Sequence, residues 1–237
     1  MDLVCDRIQG AIAAIYPDIE QSATDSNTLL PEEDLWFELS CCVLSSQVPY
    51  SLACAAADEV RKARALAPDF KLRGKSCERL LLSALSGPLS IGGKTRHYRF
   101  PKSKARQLSL AKSAVLQEFD SLSAALASLD DAELARQWLV QKVPGLGPKQ
   151  ASMFLRNCRG EYDLAIIDRH VLGYMHIAGL EKIGSRPPVG YSGYLRSENI
   201  LRDHARAMGY RLGLFDYAVW ITMRVLDPSM TSRDQVI

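Results

Sequence analysis

Apolar residues recur at a spacing near 3.6 along almost the whole of this 237-residue chain, and nowhere do they alternate long enough to mark a half-buried strand. That period places one stripe of each segment on a common helix face, which confines the chain to folds made by packing helices on helices. Helices are expected at 2–15, 32–47, 50–64, 76–87, 102–117, 131–141, 148–158, 169–179, 194–208 and 213–226. The second of these opens with Pro31-Glu32-Glu33-Asp34, suited to a first turn because carboxylates meet the positive end of the helix dipole. Its body, Leu35-Trp36-Phe37 and then Cys41-Cys42-Val43-Leu44, is apolar nearly all round and belongs in the middle of a bundle. Gly87-Pro88, Gly92-Gly93 and the stretch 184–193 with Pro187-Pro188 mark loops. A hydrophobic fraction of 47% is enough to bury a core without covalent staples.

Several classes of function are excluded at this level. The six cysteines (Cys5, Cys41, Cys42, Cys54, Cys77, Cys158) are scattered, without C-x-x-C pairs or the spaced cluster of an iron–sulfur loop. They read as reduced thiols, and the four scattered histidines offer no metal spacing, so no metal, cofactor or iron–sulfur cluster is expected. The opening Met1-Asp2-Leu3-Val4-Cys5-Asp6 is acidic where a secretory signal is basic, and no apolar run approaches a membrane span. The expectation is a soluble, unexported, cytoplasmic protein, a monomer with no membrane partner. Net charge is only +2, but it is unevenly spread. Residues 17–34 hold six acids and no base, whereas 94–106 hold Lys94, Arg96, Arg99, Lys102, Lys104 and Arg106 and no acid. Residues 142–159 add Lys142, Lys149, Arg156 and Arg159, again without an acid. A basic face against a polyanion has this pattern, and so do a solvated loop and two ordinary helix surfaces.

The chemistry is concentrated between 131 and 172. Two short helices flank a very tight turn, Val143-Pro144-Gly145-Leu146-Gly147-Pro148. Asp130 three residues before Glu133 resembles a capping box, and Leu134 with Trp138 makes an i, i+4 apolar pair. In the second helix Ala151, Phe154, Leu155 and Cys158 form the buried stripe, which turns Lys149, Met153 and Arg156 outward. Gly145 and Gly147 permit a sharp turn and bare N–H groups at a helix N-terminus, either to hold a phosphate or simply to let two helices pack. Lys149 stands in that first turn. Only an uncharged amine attacks carbon, on the order of one lysine in a thousand near neutral pH, and the positive end of a helix dipole disfavours the charged form. Nineteen residues on, the apolar run Leu164-Ala165-Ile166-Ile167 meets Asp168, the expected N-cap of the next helix. A cap alone accounts for it; a cap that also holds a carboxylate beside the Lys149 amine would stabilise sugar cation character and move protons.

Pro144-Gly145-Leu146-Gly147-Pro148-Lys149-Gln150-Ala151-Ser152, running into Phe154-Leu155-Arg156-Asn157 and followed by Ile166-Ile167-Asp168-Arg169-His170, resembles the helix-hairpin-helix DNA glycosylases. Within them the likeness is to the short archaeal-type 8-oxoguanine DNA glycosylase/lyases. Leu44-Ser45-Ser46-Gln47, Tyr98-Arg99-Phe100-Pro101 before Lys104-Ala105, and Leu214-Phe215-Asp216-Tyr217-Ala218-Val219-Trp220 are weaker matches, and together the motifs span about residues 32–225. The resemblance implies an all-α fold of two helical lobes flanking a cleft, with the lesion base turned out of double-stranded DNA into it. The whole of 1–237 would be one glycosylase unit: 32–125 a central lobe, 126–180 the hairpin and catalytic segment, 1–31 with 181–237 the remaining lobe. Lys149 would attack C1′, the base would leave, a Schiff base would form, and β-elimination would cut the strand. Asp168 would assist at the sugar. Gly145 and Gly147 would grip one phosphate and His170 a second, with Arg156, Lys102 and Lys104 as further DNA contacts. Gln47 stands where relatives push a side chain into the duplex gap, and Met153, Phe100 and Trp220 are pocket candidates.

One departure bears on base selection. Archaeal-type members commonly finish soon after the tryptophan-bearing helix with a lysine that helps read oxidised guanine, whereas here Leu226-Asp227-Pro228 runs on to Gln235-Val236-Ile237 with no terminal lysine. Another modified purine is therefore admitted as substrate. The alternatives are a non-catalytic or repurposed protein that binds a modified base or nucleotide, for example in a defence pathway, and a helical interaction scaffold.

Overall fold

The computed structural model describes residues 3–24, 30–70, 72–182 and 187–226. Among them lie α1 (Leu3–Thr24), α2 (Glu32–Leu44), α3 (Tyr50–Lys62), α4 (Gly74–Ser86), β1 (Pro88–Ile91), β2 (Lys94–His97), α5 (Pro101–Glu118), α6 (Leu122–Ser128), α7 (Ala132–Lys142), α8 (Pro148–Arg159), α9 (Arg169–Ile177), α10 (Gly190–Ala207) and α11 (Leu212–Leu226). The fold is all-α apart from one small ribbon, as the periodicity requires. None of these helices is long and apolar enough to cross a membrane. The chain divides into two compact units, Met1–Thr28 with Gly147–Val236, and Leu29–Leu146. The boundary falls inside the hairpin turn, so 126–146 belong to one unit and 147–180 to the other.

In the first unit Ile8, Ile12, Tyr16 and Ile19 of α1 pack with Val171, Tyr174 and Met175 of α9 and Phe215, Ala218 and Val219 of α11. α1 runs on through Pro17, past the expected stop at 15. Its apolar stripe continues to Ile19, and the Tyr16 hydroxyl accepts from the Arg211 N–H at 2.9 Å, so packing outweighs the missing proline donor. At the start of α11, a Cβ on Gly213 would lie 2.7 Å from the Tyr162 carbonyl oxygen, which takes the Gly213 N–H at 2.8 Å; only glycine permits that approach.

The second unit is organised around α2, eight of whose thirteen residues are buried. The acids of its first turn serve more than its own dipole. Glu32 accepts from the N–H groups of Leu122 and Ser123 at 2.9 and 2.7 Å and so caps α6, a helix the periodicity missed because it is only seven residues long. Asp34 pairs with Arg61 at 3.0 Å. The cap of α7 is Asp131, accepting from Leu134 N–H at 2.8 Å, rather than Asp130. Leu134 is exposed, and Trp138 instead donates to Glu118 and stands edge-on to Phe119. Gly92-Gly93, expected as a loop, joins β1 and β2 with φ of +54° and +74°, and Pro88↔His97 through Ile91↔Lys94 pair antiparallel. Two adjacent left-handed residues match the twist of a hairpin, and a pair of glycines is its signal.

Candidate active site

The hairpin turn needs glycine at one position and tolerates it at the other. Gly145 has φ of +96°, and a Cβ there would sit 2.5 Å from Gln107 Oε1 and 2.8 Å from its Cδ. The left-handed φ is what calls for glycine, since the crowding is against the far end of the flexible Gln107 side chain, which can shift. Gly147 is extended, with φ −93° and ψ 177°, a shape open to any residue. It is the N-cap of α8 and supplies no side chain to the helix, while Pro148 in the first turn has no N–H. The next N–H groups are thus left to an outside acceptor at the positive end of the dipole.

On α8 the expected stripe of Ala151, Phe154, Leu155 and Cys158 is buried. Lys149 is half-buried in the first turn, and among the described residues its amine has no hydrogen bond or ion pair. Met153 is half-buried one turn further on. Arg156 corrects the expectation of an outward DNA contact. Its side chain is nine-tenths buried, and Nη2 donates to Asp216 Oδ2 at 2.6 Å and to the Leu164 carbonyl at 3.3 Å. The helix turns it inward because a carboxylate waits there on α11.

The run 164–168 is neither helix nor strand, and its backbone donors are met one after another. Ala165 N–H goes to Glu198 Oε1 at 2.7 Å, Ile166 N–H to Asp216 Oδ2 at 2.5 Å, and Ile167 N–H to the Tyr194 hydroxyl at 3.0 Å, which donates on to the Ala165 carbonyl at 2.8 Å. Buried backbone must find such partners, and here α10 and α11 supply them. Burial pushes the Asp216 carboxyl up to about 6, the Arg156 charge and bond and the Ile166 N–H oppose this, and the charge of Asp168 adds to it. None of Glu198, Tyr194 or Asp216 was singled out from sequence; a lone acid inside the apolar Leu214–Trp220 run was the available signal.

The run ends at Asp168, the N-cap of α9 as expected. Its Oδ1 alone accepts both cap bonds, from His170 N–H at 2.8 Å and Val171 N–H at 3.0 Å, and among the described residues Oδ2 has no partner. The His170 side chain is 98% buried, with Arg169 Nε 3.4 Å from its Nε2, so the expected phosphate contact is enclosed in the protein. Val171 and Leu172 beside it carry the core stripe, which takes position 170 in with them. Trp220 packs against the same core, stacks on Tyr217 with ring centroids 6.0 Å apart, and has the Arg224 guanidinium 4.9 Å from its ring centre.

The other candidates belong to the second unit. Gln47 is exposed in the turn after α2 with φ of +62°, one of two non-glycine residues with positive φ among those described. A left-handed glutamine is strained, and such strain gathers where a side chain must be presented. Two weak motifs meet here: the buried Tyr98 hydroxyl donates to the Leu44 carbonyl at 2.7 Å, joining the end of α2 to the segment before α5. Phe100, half-buried, precedes α5 with the Arg99 guanidinium 5.0 Å over its ring. Lys102 is exposed, whereas Lys104 is buried, and burial pushes its amine below the usual lysine range. Lys104 falls in phase with Leu108, Ala111 and Val115, which corrects its expected place on the surface. None of the six cations from Lys94 to Arg106 has an ion pair among the described residues. The tail beyond Leu226, on which the departure at the C-terminus rests, lies outside the described residues.

With this geometry in place, comparison with known proteins is specific. Residues 19–210 match the family model described as 8-oxoguanine DNA glycosylase. The chain is 30% identical over 194 residues to the 8-oxoguanine DNA glycosylase/AP lyase of Saccharolobus solfataricus, covering 81% of this chain and 83% of the relative. It is 34% identical over 197 residues to that of Thermotoga petrophila, covering 81% of each. The crystal structure of the Thermotoga maritima 8-oxoguanine DNA glycosylase superposes with a TM-score of 0.63 at 29% identity, covering 92% of this chain and 94% of that one. The Methanocaldococcus jannaschii 8-oxoguanine glycosylase/lyase, solved in complex with a 15mer DNA containing 8-oxoguanine, gives 0.58 at 25% identity, covering 92% and 90%. The chain belongs to the helix-hairpin-helix family of 8-oxoguanine DNA glycosylases.

Proposed function

We propose that this protein excises an oxidised purine, 8-oxoguanine first among them, from double-stranded DNA and then cuts the strand, with Lys149 as nucleophile and Asp168 as its carboxylate partner. The observation that carries the reading is the placement of this pair at the starts of α8 and α9 in one compact unit, the amine unbonded and the carboxylate keeping one oxygen for chemistry. The Lys149 amine attacks C1′ of the extruded nucleotide, the bond to the base breaks, and the base leaves with that electron pair and gains a proton. Asp168 stabilises positive charge on the sugar as that bond breaks. The ring opens to a Schiff base, a C2′ proton is lost, and the C3′–O bond breaks to release the 3′ strand. Both steps use side chains, so the reading includes no metal or iron–sulfur cluster.

The unoccupied N–H groups at the start of α8 hold a phosphate beside Gly145 and Gly147. Gln47 enters the gap left by the base, and Lys102 supports the backbone. Met153 and Trp220 contribute pocket surface. The protein acts as a monomer where genomic DNA is, in the cytoplasm and on the nucleoid. Borohydride added to protein and an 8-oxoguanine duplex tests this: a covalent adduct is expected, absent in Lys149→Gln and retained in EDTA. Lesion-specific binding with no adduct and no excision would favour the non-catalytic reading.

A further inference from the structure

We infer that Arg156 and Asp216 are positioning residues: together they fix the segment ending in Asp168 against the helix that carries Lys149, and so govern the chemical step without touching DNA. The inference rests on the roles proposed for Lys149 and Asp168. Arg156 stands seven residues after Lys149 on α8, about 20° short of two full turns, so the two share a stripe of one rigid helix. Its guanidinium holds Asp216 Oδ2 at 2.6 Å, and that same oxygen takes the Ile166 N–H at 2.5 Å, two residues before Asp168. A second bond from Arg156 to the Leu164 carbonyl, at 3.3 Å, secures the start of the same segment. One carboxylate oxygen therefore ties the lysine's helix to the aspartate's backbone. Glu198 and Tyr194 hold Ala165 and Ile167 from α10, which leaves the segment little freedom to slide.

A buried ion pair is poor evidence for stability, since apolar replacements of like volume often fold as well or better. Precise placement is a different matter: a shift on the order of 1 Å in a reacting group costs about 100-fold in rate. The pair thus has more to do for the reaction than for the fold.

The test compares wild type, the double variant Arg156→Met with Asp216→Asn, and Arg156→Lys. The double variant removes both charges and keeps an oxygen for the Ile166 N–H. Single-turnover excision of 8-oxoguanine, affinity for the lesion duplex and unfolding temperature are measured for each. The expected result is an excision rate on the order of 100-fold lower in the double variant, with affinity and unfolding temperature nearly unchanged and partial recovery in Arg156→Lys. Wild-type excision in the double variant would overturn the inference. So would rates that simply follow the folded fraction, with Arg156→Lys no better than the double variant. A wild-type protein that excises nothing overturns the glycosylase reading itself, and this inference with it.

Discussion

Lys112 and Lys149 are the same side chain put to opposite uses. Lys112 is buried on α5, and its ammonium donates to the carbonyls of Ala65, Ala67 and Phe70 at 3.1, 3.3 and 2.7 Å, closing the loop after α3. Burial pushes its amine below the usual lysine range. Lys149 is half-buried at the start of α8 and, among the described residues, is bonded to nothing. A cation that the fold needs is surrounded by acceptors; one that a ligand needs is left without them. Lys102, exposed without an ion pair, falls on the same side as Lys149.

Exchanging the two lysines' fates breaks or confirms that contrast, and the effects are the largest expected. Lys149→Gln should lower strand cleavage by at least about 10³-fold while the unfolding temperature barely moves. Lys112→Met leaves three carbonyls facing an apolar group and should cost about 2–4 kcal/mol of stability, yet the folded fraction should excise at the wild-type rate. Equal losses of activity and stability in both variants, seen by denaturant titration beside single-turnover assays, would erase the distinction. Asp168 sharpens it, because one residue serves both purposes. Asp168→Asn keeps a cap acceptor and should lose about 10²–10⁴-fold in turnover with DNA affinity intact. Asp168→Ala should lose about 1 kcal/mol as well. Full activity in the asparagine variant would leave Asp168 a cap only.

Sequence carried the frame of this site further than its interior. The glycine turn, the α8 stripe and the Asp168 cap were legible because each follows from local periodicity or from one residue's bonding habit. Arg156, Lys104 and Lys112 were not, since a cation in phase with a buried stripe looks like a surface residue until its partner is known. For Arg156 that partner is 60 residues away. For Lys112 it is three carbonyls 42 to 47 residues away, and carbonyls leave no mark on composition. The β1–β2 ribbon was missed for a different reason: four-residue strands are too short to show alternation, although Gly92-Gly93 announced the turn.

The basic stretch gives a smaller effect that divides in the same manner. Lys102→Ala should reduce the slope of log affinity against log salt by about 1 without altering stability, as expected of an exposed phosphate contact. Lys104→Ala, at a buried position, should move the unfolding temperature instead. Salt titrations of duplex binding check the first and thermal unfolding the second, and an unchanged slope in Lys102→Ala would take the start of α5 out of the interface.

Acidification separates fold from function most finely, through Asp216. Its carboxyl lies at about 6, with Arg156 and Asp168 the charged groups acting on it, against an ordinary aspartate near 3.8. Because the folded value is the higher one, the folded protein takes up this proton first, and that group's contribution to stability grows as pH falls from 7 towards 4. The ion pair with Arg156, however, is lost over the upper part of the same window. Excision should therefore fall about twofold by pH 6 and more steeply below, while the unfolding temperature holds or rises. The decline should disappear in Asp216→Asn, which starts slow and stays so. If the wild-type rate and unfolding temperature drop together instead, Asp216 serves the fold as Lys112 does.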